Sequence, residues 1–348
     1  MRWDHLSAPP DGAVPDGPAP AAPPLPLALP GAVARTFDTP GFAGMTFYEV
    51  QAKSIINRVP ASSRMSFMWT INPYRGCSHA CSYCFARGTH TYLDLDAGHD
   101  FDTKVVVKVN AGELVRRELA APRWRGEHIA MGTNVDPYQR AEGRYRLMPR
   151  ILSALRDFAN PFSILTKGTL ILRDLPLLRQ AAEVTQVSVA MSVGFVDERM
   201  WRSVESGTPS PRRRLDAVRA LTDAGFRVSV LMAPILPGLT DTDDSIEATV
   251  AAIAAAGAAS VTPIPLHLRP GAREWYAAWL AREFPALAPH YRRLYGRGSY
   301  LPKEYQREVT ARVRMAARRH GLDRAGPGEA RQPEAPPVPP EPEQLTLL

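Results

Sequence analysis

Short apolar runs alternate with amphipathic stretches along the middle of the chain. Six runs have the length and composition of β-strands, and they lie at residues 66–71, 128–134, 162–168, 184–193, 227–236 and 260–268. The stretches between them, such as "PRRRLDAVRALTDAG" and "DDSIEATVAAIAAAG", have helical spacing of apolar residues and end in glycine. This alternation predicts βαβ units and therefore a parallel sheet.

The number of predicted units narrows the architecture. Six β/α units are too few for a complete eight-stranded barrel, so we expect an α/β fold with an open, partial (β/α)6 TIM-like barrel. In parallel α/β folds the chemistry lies at the C-terminal ends of the strands. The candidates for the site are therefore the residues at or just after the strand ends, namely Cys77, Thr133, Lys167, Ser192, Pro234 and His267.

Proline content marks the boundaries of the folded part. Ten of the 34 prolines lie in residues 1–40 and seven in residues 321–348, where bulky apolar residues are few. We expect both of these tails to be disordered, because they have little to bury. Between them we predict a core domain at 41–270 and a C-terminal helical extension at 271–320.

Composition bears on the compartment and on partners. The longest apolar stretches fall short of the 18 or so residues of a membrane span, and the N-terminus lacks the pattern of a secretory signal. An odd count of three cysteines argues against a disulfide framework and favours a cytoplasmic location. The formal net charge of +7 permits nucleic-acid contact without requiring it. The short basic run Arg212–Arg214 is interpreted as a solvated helix face.

All three cysteines lie within the eight-residue stretch "CSHACSYC", as Cys77, Cys81 and Cys84. A zinc site needs four ligands, and His79 is a candidate for the fourth. Structural zinc sites usually draw ligand pairs from two segments, however, and no second Cys or His pair follows. A cubane iron–sulfur cluster held by three thiolates leaves one iron open for a small molecule. We therefore favour the cluster over zinc or a redox trio.

The cysteine spacing, directly after a first strand, resembles the signature of the radical S-adenosylmethionine (SAM) superfamily. The segments "NPYRGCSHACSYCFAR", "GTNVDPYQ", "LTKGTLILRD" and "SPRRRLDAVRALTDAGFRVSVLMAPILPGL" resemble the branch grouped with spore photoproduct lyase, also described as DNA-repair-photolyase-like. The likeness covers roughly residues 66–270. It implies that the partial barrel is of the radical SAM type.

The resemblance also implies cofactors and a reaction. Cys77, Cys81 and Cys84 would hold one [4Fe–4S] cluster, and SAM would bind its open iron. Reductive cleavage of SAM would give methionine and a 5′-deoxyadenosyl radical that abstracts hydrogen from the substrate. A flavodoxin- or ferredoxin-like protein would supply the electron. The residues implied to contact SAM are Tyr83, Gly132, Thr133, Asn134 and Ser192.

Three further residues are candidates for the catalytic step. Lys167 can pair with a cofactor carboxylate or a substrate phosphate, or lie at the strand end as a surface lysine. Tyr138 and its neighbour Asp136 can face the substrate, although "Asp-Pro-Tyr" equally suits a turn. His267 can line the cavity, with a structural role as the alternative. Glu205 is a candidate for ordering the cofactor.

One departure from the resemblance concerns the substrate. Spore photoproduct lyases use an additional cysteine as hydrogen donor, and no cysteine remains here outside the "CSHACSYC" stretch. A nucleic-acid substrate is therefore one hypothesis. The alternatives are radical SAM modification of a peptide, a tRNA or a metabolite, and a non-catalytic iron–sulfur protein.

The chain ends in "EPEQLTLL", whose last five residues are Gln344–Leu348. This peptide resembles the motif by which bacterial replication and repair proteins dock on the DNA sliding clamp. An apolar pair at the end of a Pro-rich tether can fill a groove on a partner. We therefore name the sliding clamp as a candidate partner, with an accidental apolar terminus as the alternative.

Overall fold

Seven strands form the main sheet of the computed structural model, which describes residues 29, 31–60, 63 and 65–322. Along the sheet the order is β3-β4-β7-β8-β9-β10-β11. Six of these strands, β4 and β7 to β11, pair in parallel. Strand β3 joins β4 antiparallel at the edge of the sheet. The bounds are β3 Ile56–Arg58, β4 Trp69–Ile71, β7 Ile129–Met131, β8 Phe162–Thr166, β9 Val187–Ser192, β10 Ser229–Ile235 and β11 Ser260–Pro265. These six parallel strands are the predicted ones, and the partial (β/α)6 fold is confirmed.

Helices fill the crossovers between the parallel strands. Two of them begin at residues that favour a helix N-terminus. The Ser210 hydroxyl caps the N-terminus of one helix, which has Pro211 in its first turn. The Thr242 hydroxyl caps the N-terminus of another, and two acidic residues follow it. The helices are α1 His99–Thr103, α2 Ala111–Leu119, α3 Glu142–Tyr145, α4 Leu147–Asp157, α5 Leu175–Val184, α6 Glu198–Val204, α7 Pro211–Asp223, α8 Asp243–Ala255, α9 Ala272–Glu283, α10 Ala288–Tyr295 and α11 Lys303–Arg319.

A second, four-stranded sheet was not predicted from the sequence. Its order is β1-β2-β6-β5, with bounds β1 Val33–Arg35, β2 Thr46–Val50, β5 Tyr74–Arg75 and β6 Lys104–Lys108. Three consecutive buried valines make β6, and β5 pairs with it antiparallel immediately before the cysteines. Strand β1 lies inside the stretch 1–40 that proline content assigned to the N-terminal tail, because it completes the edge of β2.

The apolar core runs between the main sheet and its helices, while α9 and α10 add a smaller cluster of buried tyrosines and tryptophan. None of the described helices is both long and apolar enough to cross a membrane. The clamp-like peptide Gln344–Leu348 lies outside the described residues.

Candidate active site

The cysteine loop, residues 76–84, begins directly after β5 and lies at the C-terminal end of the main sheet. Gly76 opens it with φ +81°, and a Cβ there would lie 2.7 Å from the Lys104 carbonyl oxygen, so only glycine fits. Two successive turns follow. In the first, the Ala80 N–H donates to the Cys77 carbonyl, and in the second, the Cys84 N–H donates to the Cys81 carbonyl. The loop is thus a fixed, tightly turned support for three thiols.

Gln139 anchors the beginning of this loop from across the site. Its fully buried side chain accepts a hydrogen bond from the Ser78 N–H at 2.9 Å and donates to the Gly76 carbonyl at 2.9 Å. Both backbone groups are therefore satisfied by one side chain. Gln139 is the last residue of the quoted segment "GTNVDPYQ", but it was not predicted as a site residue.

Arg87 anchors the end of the loop. Its guanidinium is fully buried and donates twice to the Cys81 carbonyl, at 3.1 and 2.9 Å. Its Nη2 also donates to both carboxylate oxygens of Asp102, at 2.8 and 3.0 Å, and its Nη1 donates to the Gly98 carbonyl. This planar fork fixes the cysteine backbone in one geometry. Arg87 was also missed, because its partners are known only from the fold.

The three thiols of the loop are free to act as ligands. Cys77 and Cys81 are buried, Cys84 is partly exposed, and none is paired in a disulfide. Burial raises the pKa of the Cys77 thiol well above its usual range, and Asp136 and the other two thiols raise it further. The positive charge of bound iron is what would favour the thiolate form of these cysteines.

His79, the candidate fourth zinc ligand, has another partner. Its Nδ1 lies 3.4 Å from the Asp136 carboxylate, with both side chains buried. This ion pair gives His79 a role other than that of a fourth zinc ligand.

Glu205 is the centre of a buried charge network beside the cysteines. It is fully buried, accepts from the Tyr83 hydroxyl, and receives the Arg214 guanidinium at 2.5 Å and the Lys167 ammonium at 3.4 Å. Burial alone would raise the pKa of Glu205, but Arg214 and Lys167 outweigh it and lower the pKa to about 2. The carboxylate is therefore ionised and held between two cations.

Arg214 corrects the prediction of a solvated basic face. Arg212 is exposed as expected, but Arg214 is fully buried on the inner side of α7. Its second nitrogen donates to the Ser192 carbonyl at 2.9 Å. The periodicity of α7 turns the third arginine inward, where Glu205 compensates its charge.

Lys167 and Ser192 meet at the ends of β8 and β9, as the strand-end rule predicts. The Lys167 ammonium donates to the Ser192 hydroxyl at 2.5 Å and to the Ala233 carbonyl of β10 at 3.2 Å. The Ser192 hydroxyl donates to the same carbonyl at 3.0 Å. A half-buried cation is thus presented where three strands end, and the surface-lysine alternative does not describe it.

The segment after β7 approaches the neighbouring strand very closely. At Gly132, φ is +82° and a Cβ would lie 1.8 Å from the Leu165 carbonyl oxygen, so only glycine fits. Thr133 and Asn134 follow, half-buried, at the same end of the sheet. Asp136 then closes the turn, accepting from the Thr166 hydroxyl and the Lys167 N–H, each at 2.6 Å.

Tyr138 and His267 lie in different surroundings. Tyr138 is 1% exposed, and burial followed by Asp174 and Glu142 raises the pKa of its hydroxyl well above its usual range. Its hydroxyl therefore lies near buried acidic groups, while its backbone packs against Gly168, the residue next to Lys167. His267, after β11, packs its ring against Phe85 and Tyr300.

Comparison with known proteins decides the family. Residues 71–251 match the family model described as the radical SAM superfamily, and this match covers half of the chain. The chain belongs to the radical SAM superfamily. Members of this superfamily use a [4Fe–4S] cluster and SAM, and the cysteine loop with its neighbouring strand ends has the donors for both.

Among relatives of this radical SAM protein is a protein of Mycobacterium tuberculosis, "Uncharacterized protein Rv2578c". The two are 49% identical over 318 residues, covering 90% of this chain and 91% of the relative. "Uncharacterized protein MJ0683" of Methanocaldococcus jannaschii is 29% identical over 197 residues, covering 56% of this chain and 70% of that protein.

Solved structures agree on the fold. Spore photoproduct lyase complexed with dinucleoside spore photoproduct superposes with a TM-score of 0.57 at 15% identity, covering 80% of each chain. A variant of that lyase with bound AdoMet and dinucleoside spore photoproduct gives 0.56 at 16% identity, covering 79% of each chain. The radical SAM fold therefore extends beyond the matched residues 71–251.

Proposed function

We propose that this radical SAM protein is an enzyme that cleaves SAM reductively and acts on a nucleic acid. The observation that carries the proposal is the position of the three cysteines. Cys77, Cys81 and Cys84 occupy one anchored loop, beside the strand ends that present Lys167 and Ser192.

In this proposal the three cysteines hold the cluster and the strand ends hold SAM. Lys167 pairs with the SAM carboxylate, because its ammonium is half-buried and already directed to hydrogen-bond acceptors at the site. Glu205 pairs with that ammonium and also accepts a hydrogen bond from the Tyr83 hydroxyl. The remaining contacts to SAM are assigned to Tyr83, Gly132, Thr133, Asn134 and Ser192.

When bound, the cluster would supply the electron and SAM the radical group for abstraction of a substrate hydrogen atom. The chain's own residues position and shield the reactants. Gln139 and Arg87 prevent the loop from shifting, and the paired charges of Glu205 and Arg214 require no water for solvation.

Two observations support a nucleic-acid substrate. The chain has a formal net charge of +7, and the lyase of the same fold was solved with a dinucleoside spore photoproduct. All three cysteines of this chain lie in the loop, so a lyase reaction here would need a hydrogen donor other than cysteine. We therefore propose the nucleic-acid class rather than the spore photoproduct itself. The catalytic candidates are Lys167, Tyr138 and His267.

Anaerobic reconstitution with iron and sulfide tests the central claim. The wild-type chain should bind four irons and, with SAM and a strong reductant, release 5′-deoxyadenosine. Cys81→Ala should lose the cluster and at least about 100-fold of 5′-deoxyadenosine formation, because loss of a residue that only supports a metal ligand already costs about 10- to 100-fold. Ser82→Ala is the matched control, because its hydroxyl donates to the Val204 carbonyl and the three thiols remain.

Reconstituted protein that binds fewer than four irons, or that binds them equally well as Cys81→Ala, would contradict this assignment. Oligonucleotides carrying base lesions, tRNA, peptides and metabolites should then be compared as substrates. Release of 5′-deoxyadenosine stimulated only by a peptide or a metabolite would replace the nucleic-acid proposal. A four-iron protein that never cleaves SAM would favour a non-catalytic role.

Partners complete the proposal. We assign the electron supply to a flavodoxin- or ferredoxin-like protein and place the enzyme in the cytoplasm, where thiols stay reduced. Gln344–Leu348 is the candidate sliding-clamp peptide. A clamp pull-down with the full chain and with one ending at residue 343 tests it, and equal retention of the two would remove the clamp.

A further inference from the structure

Three aromatic rings form an exposed row beside the cysteine loop. The Phe85 and His267 centroids are 5.8 Å apart with an interplanar angle of 37°, and His267 and Tyr300 are stacked at 5.7 Å and 26°. Phe85 is 36% exposed and Tyr300 is 57% exposed. Large aromatic side chains usually bury such area, so a stacked row in contact with solvent requires an explanation.

The position of the row connects it to the proposed active site. Phe85 follows Cys84 directly in the chain, and adjacent Cα atoms are about 3.8 Å apart. His267 follows the end of β11, the last parallel strand of the sheet. A molecule stacked on these rings therefore lies at the edge of the same face that presents the three cysteines.

The charge around the row is positive. The Arg269 guanidinium lies 5.5 Å from the Phe85 ring centroid, in a cation–π contact. Burial, followed by Arg269, lowers the pKa of His267, so its ring is neutral at pH 7 and stacks without repelling the arginine. The rings and Arg269 together present flat π-faces beside a fixed cation.

Tyr300 belongs to the most basic part of the chain. Residues 271–320 contain eleven Lys and Arg against four Glu, so this segment alone accounts for the formal net charge of +7 and the remainder is neutral overall. Some of these cations are paired, such as Arg312 with Asp243 and Arg319 with Glu247. Arg293 and Arg297, which precede Tyr300 in the chain, are exposed.

We infer that Phe85, His267 and Tyr300 form a stacking platform for an unpaired base of a single-stranded nucleic acid. Every nucleobase has a π-face, and aromatic rings inside a positive surface are how proteins bind single strands without reading sequence. A duplex hides its base faces inside the helical stack, so it can contact only the cations. This inference rests on the proposed function, for which it supplies the substrate class.

Fluorescence anisotropy of the reconstituted protein tests the platform with 15-nucleotide probes: single-stranded DNA, the same sequence as RNA, and the DNA duplex. Tyr300→Ala should weaken single-strand binding about 5- to 150-fold, since one base–aromatic stack contributes ~1–3 kcal/mol. Tyr300→Phe keeps the ring and should bind within about twofold of wild type. Tyr92→Ala is the matched control, because Tyr92 is 79% exposed but outside the row.

The controls distinguish base stacking on the platform from non-specific electrostatic binding of a polyanion. Duplex binding should not change in Tyr300→Ala, and poly-glutamate of equal charge should displace the single strand less well than unlabelled DNA or RNA does. An equal loss of duplex binding, equally good displacement by poly-glutamate, or no difference between Tyr300→Ala and Tyr300→Phe would overturn the inference.

The same wild-type preparation should be assayed for 5′-deoxyadenosine, which reports on the proposed function alone. Ring-dependent binding without 5′-deoxyadenosine would leave the platform standing and remove the enzyme. Formation of 5′-deoxyadenosine without ring-dependent binding would do the reverse.

Discussion

The cysteine-loop side of the molecule and the C-terminal extension treat charge in opposite ways. Beside the loop, Glu205 lies between Arg214 and Lys167, and the buried Arg87 is paired with Asp102. In the extension, eleven cations face four carboxylates, and several of the cations are exposed. The first arrangement is buried and compensated, whereas the second is open to solvent and has a large positive excess.

The difference separates two kinds of binding. A buried, paired network is already organised before a ligand arrives, so it suits a small zwitterionic cofactor whose position decides the reaction. An exposed positive surface does not fix the position of a ligand, but it attracts a polyanion. Salt shortens the range of this attraction. Mutations in the two regions should therefore differ in kind: the first should change stability, and the second should change salt-dependent binding.

The largest effect should come from breaking the buried pair. Arg214→Met leaves Glu205 buried without its closest cation, which costs about 3–5 kcal/mol of unfolding free energy. Urea unfolding of the reconstituted protein measures this as a lower midpoint. Arg212→Met is the matched control in the same helix; it replaces an exposed arginine and should stay within about 0.5 kcal/mol of wild type.

Adding Glu205→Gln to Arg214→Met removes the uncompensated charge and should recover part of the loss. Equal midpoints for Arg214→Met and Arg212→Met would show that the buried network does not have the role assigned to it.

The same arginine shows where prediction from sequence stops. The six parallel strands were predictable because each has its own apolar run and helical patterns separate most of these runs. Lys167 and Ser192 were predictable as site residues because parallel strands end at one edge of a sheet. Whether Arg214 points inward depends on Glu205 and on the Ser192 carbonyl, 22 residues earlier, and only the fold brings these together.

Longer separations were harder still. Gln139 bonds to backbone groups more than 60 residues earlier, and Tyr83 meets Glu205 across 122 residues. No local pattern records such pairs, because any buried polar residue can serve as the partner. Strand β6 was missed for another reason: it belongs to the small sheet, outside the regular alternation of strand and helix.

A smaller but still distinct effect should follow from Gln139→Leu. The change leaves the Ser78 N–H and the Gly76 carbonyl unpaired in the interior, at a cost of about 1–3 kcal/mol for each group. We expect a lower urea midpoint and less iron retained after gel filtration, since the loop loses its anchor.

Gln306→Leu is the matched control for this change in the extension. The Gln306 amide donates to the Leu301 carbonyl at 2.7 Å, but the side chain is half-exposed, so water can replace the bond. It should lower the midpoint by less than Gln139→Leu does and leave the iron content unchanged. Equal iron loss in the two variants would contradict the role given to Gln139.

The smallest change in stability should accompany the clearest change in salt dependence. Arg293→Gln combined with Arg297→Gln removes two exposed cations of the extension, and the unfolding free energy should stay within about 0.5 kcal/mol of wild type. If both contact phosphates, the slope of log K against log salt for a single strand should become shallower by about 0.7 for each.

Arg202→Gln in α6, where the exposed Arg202 is paired with Glu198, should leave the slope unchanged. Identical slopes for wild type and all variants would show that the extension's charge is not used for nucleic acid, and the contrast between the two regions would then lose its functional meaning.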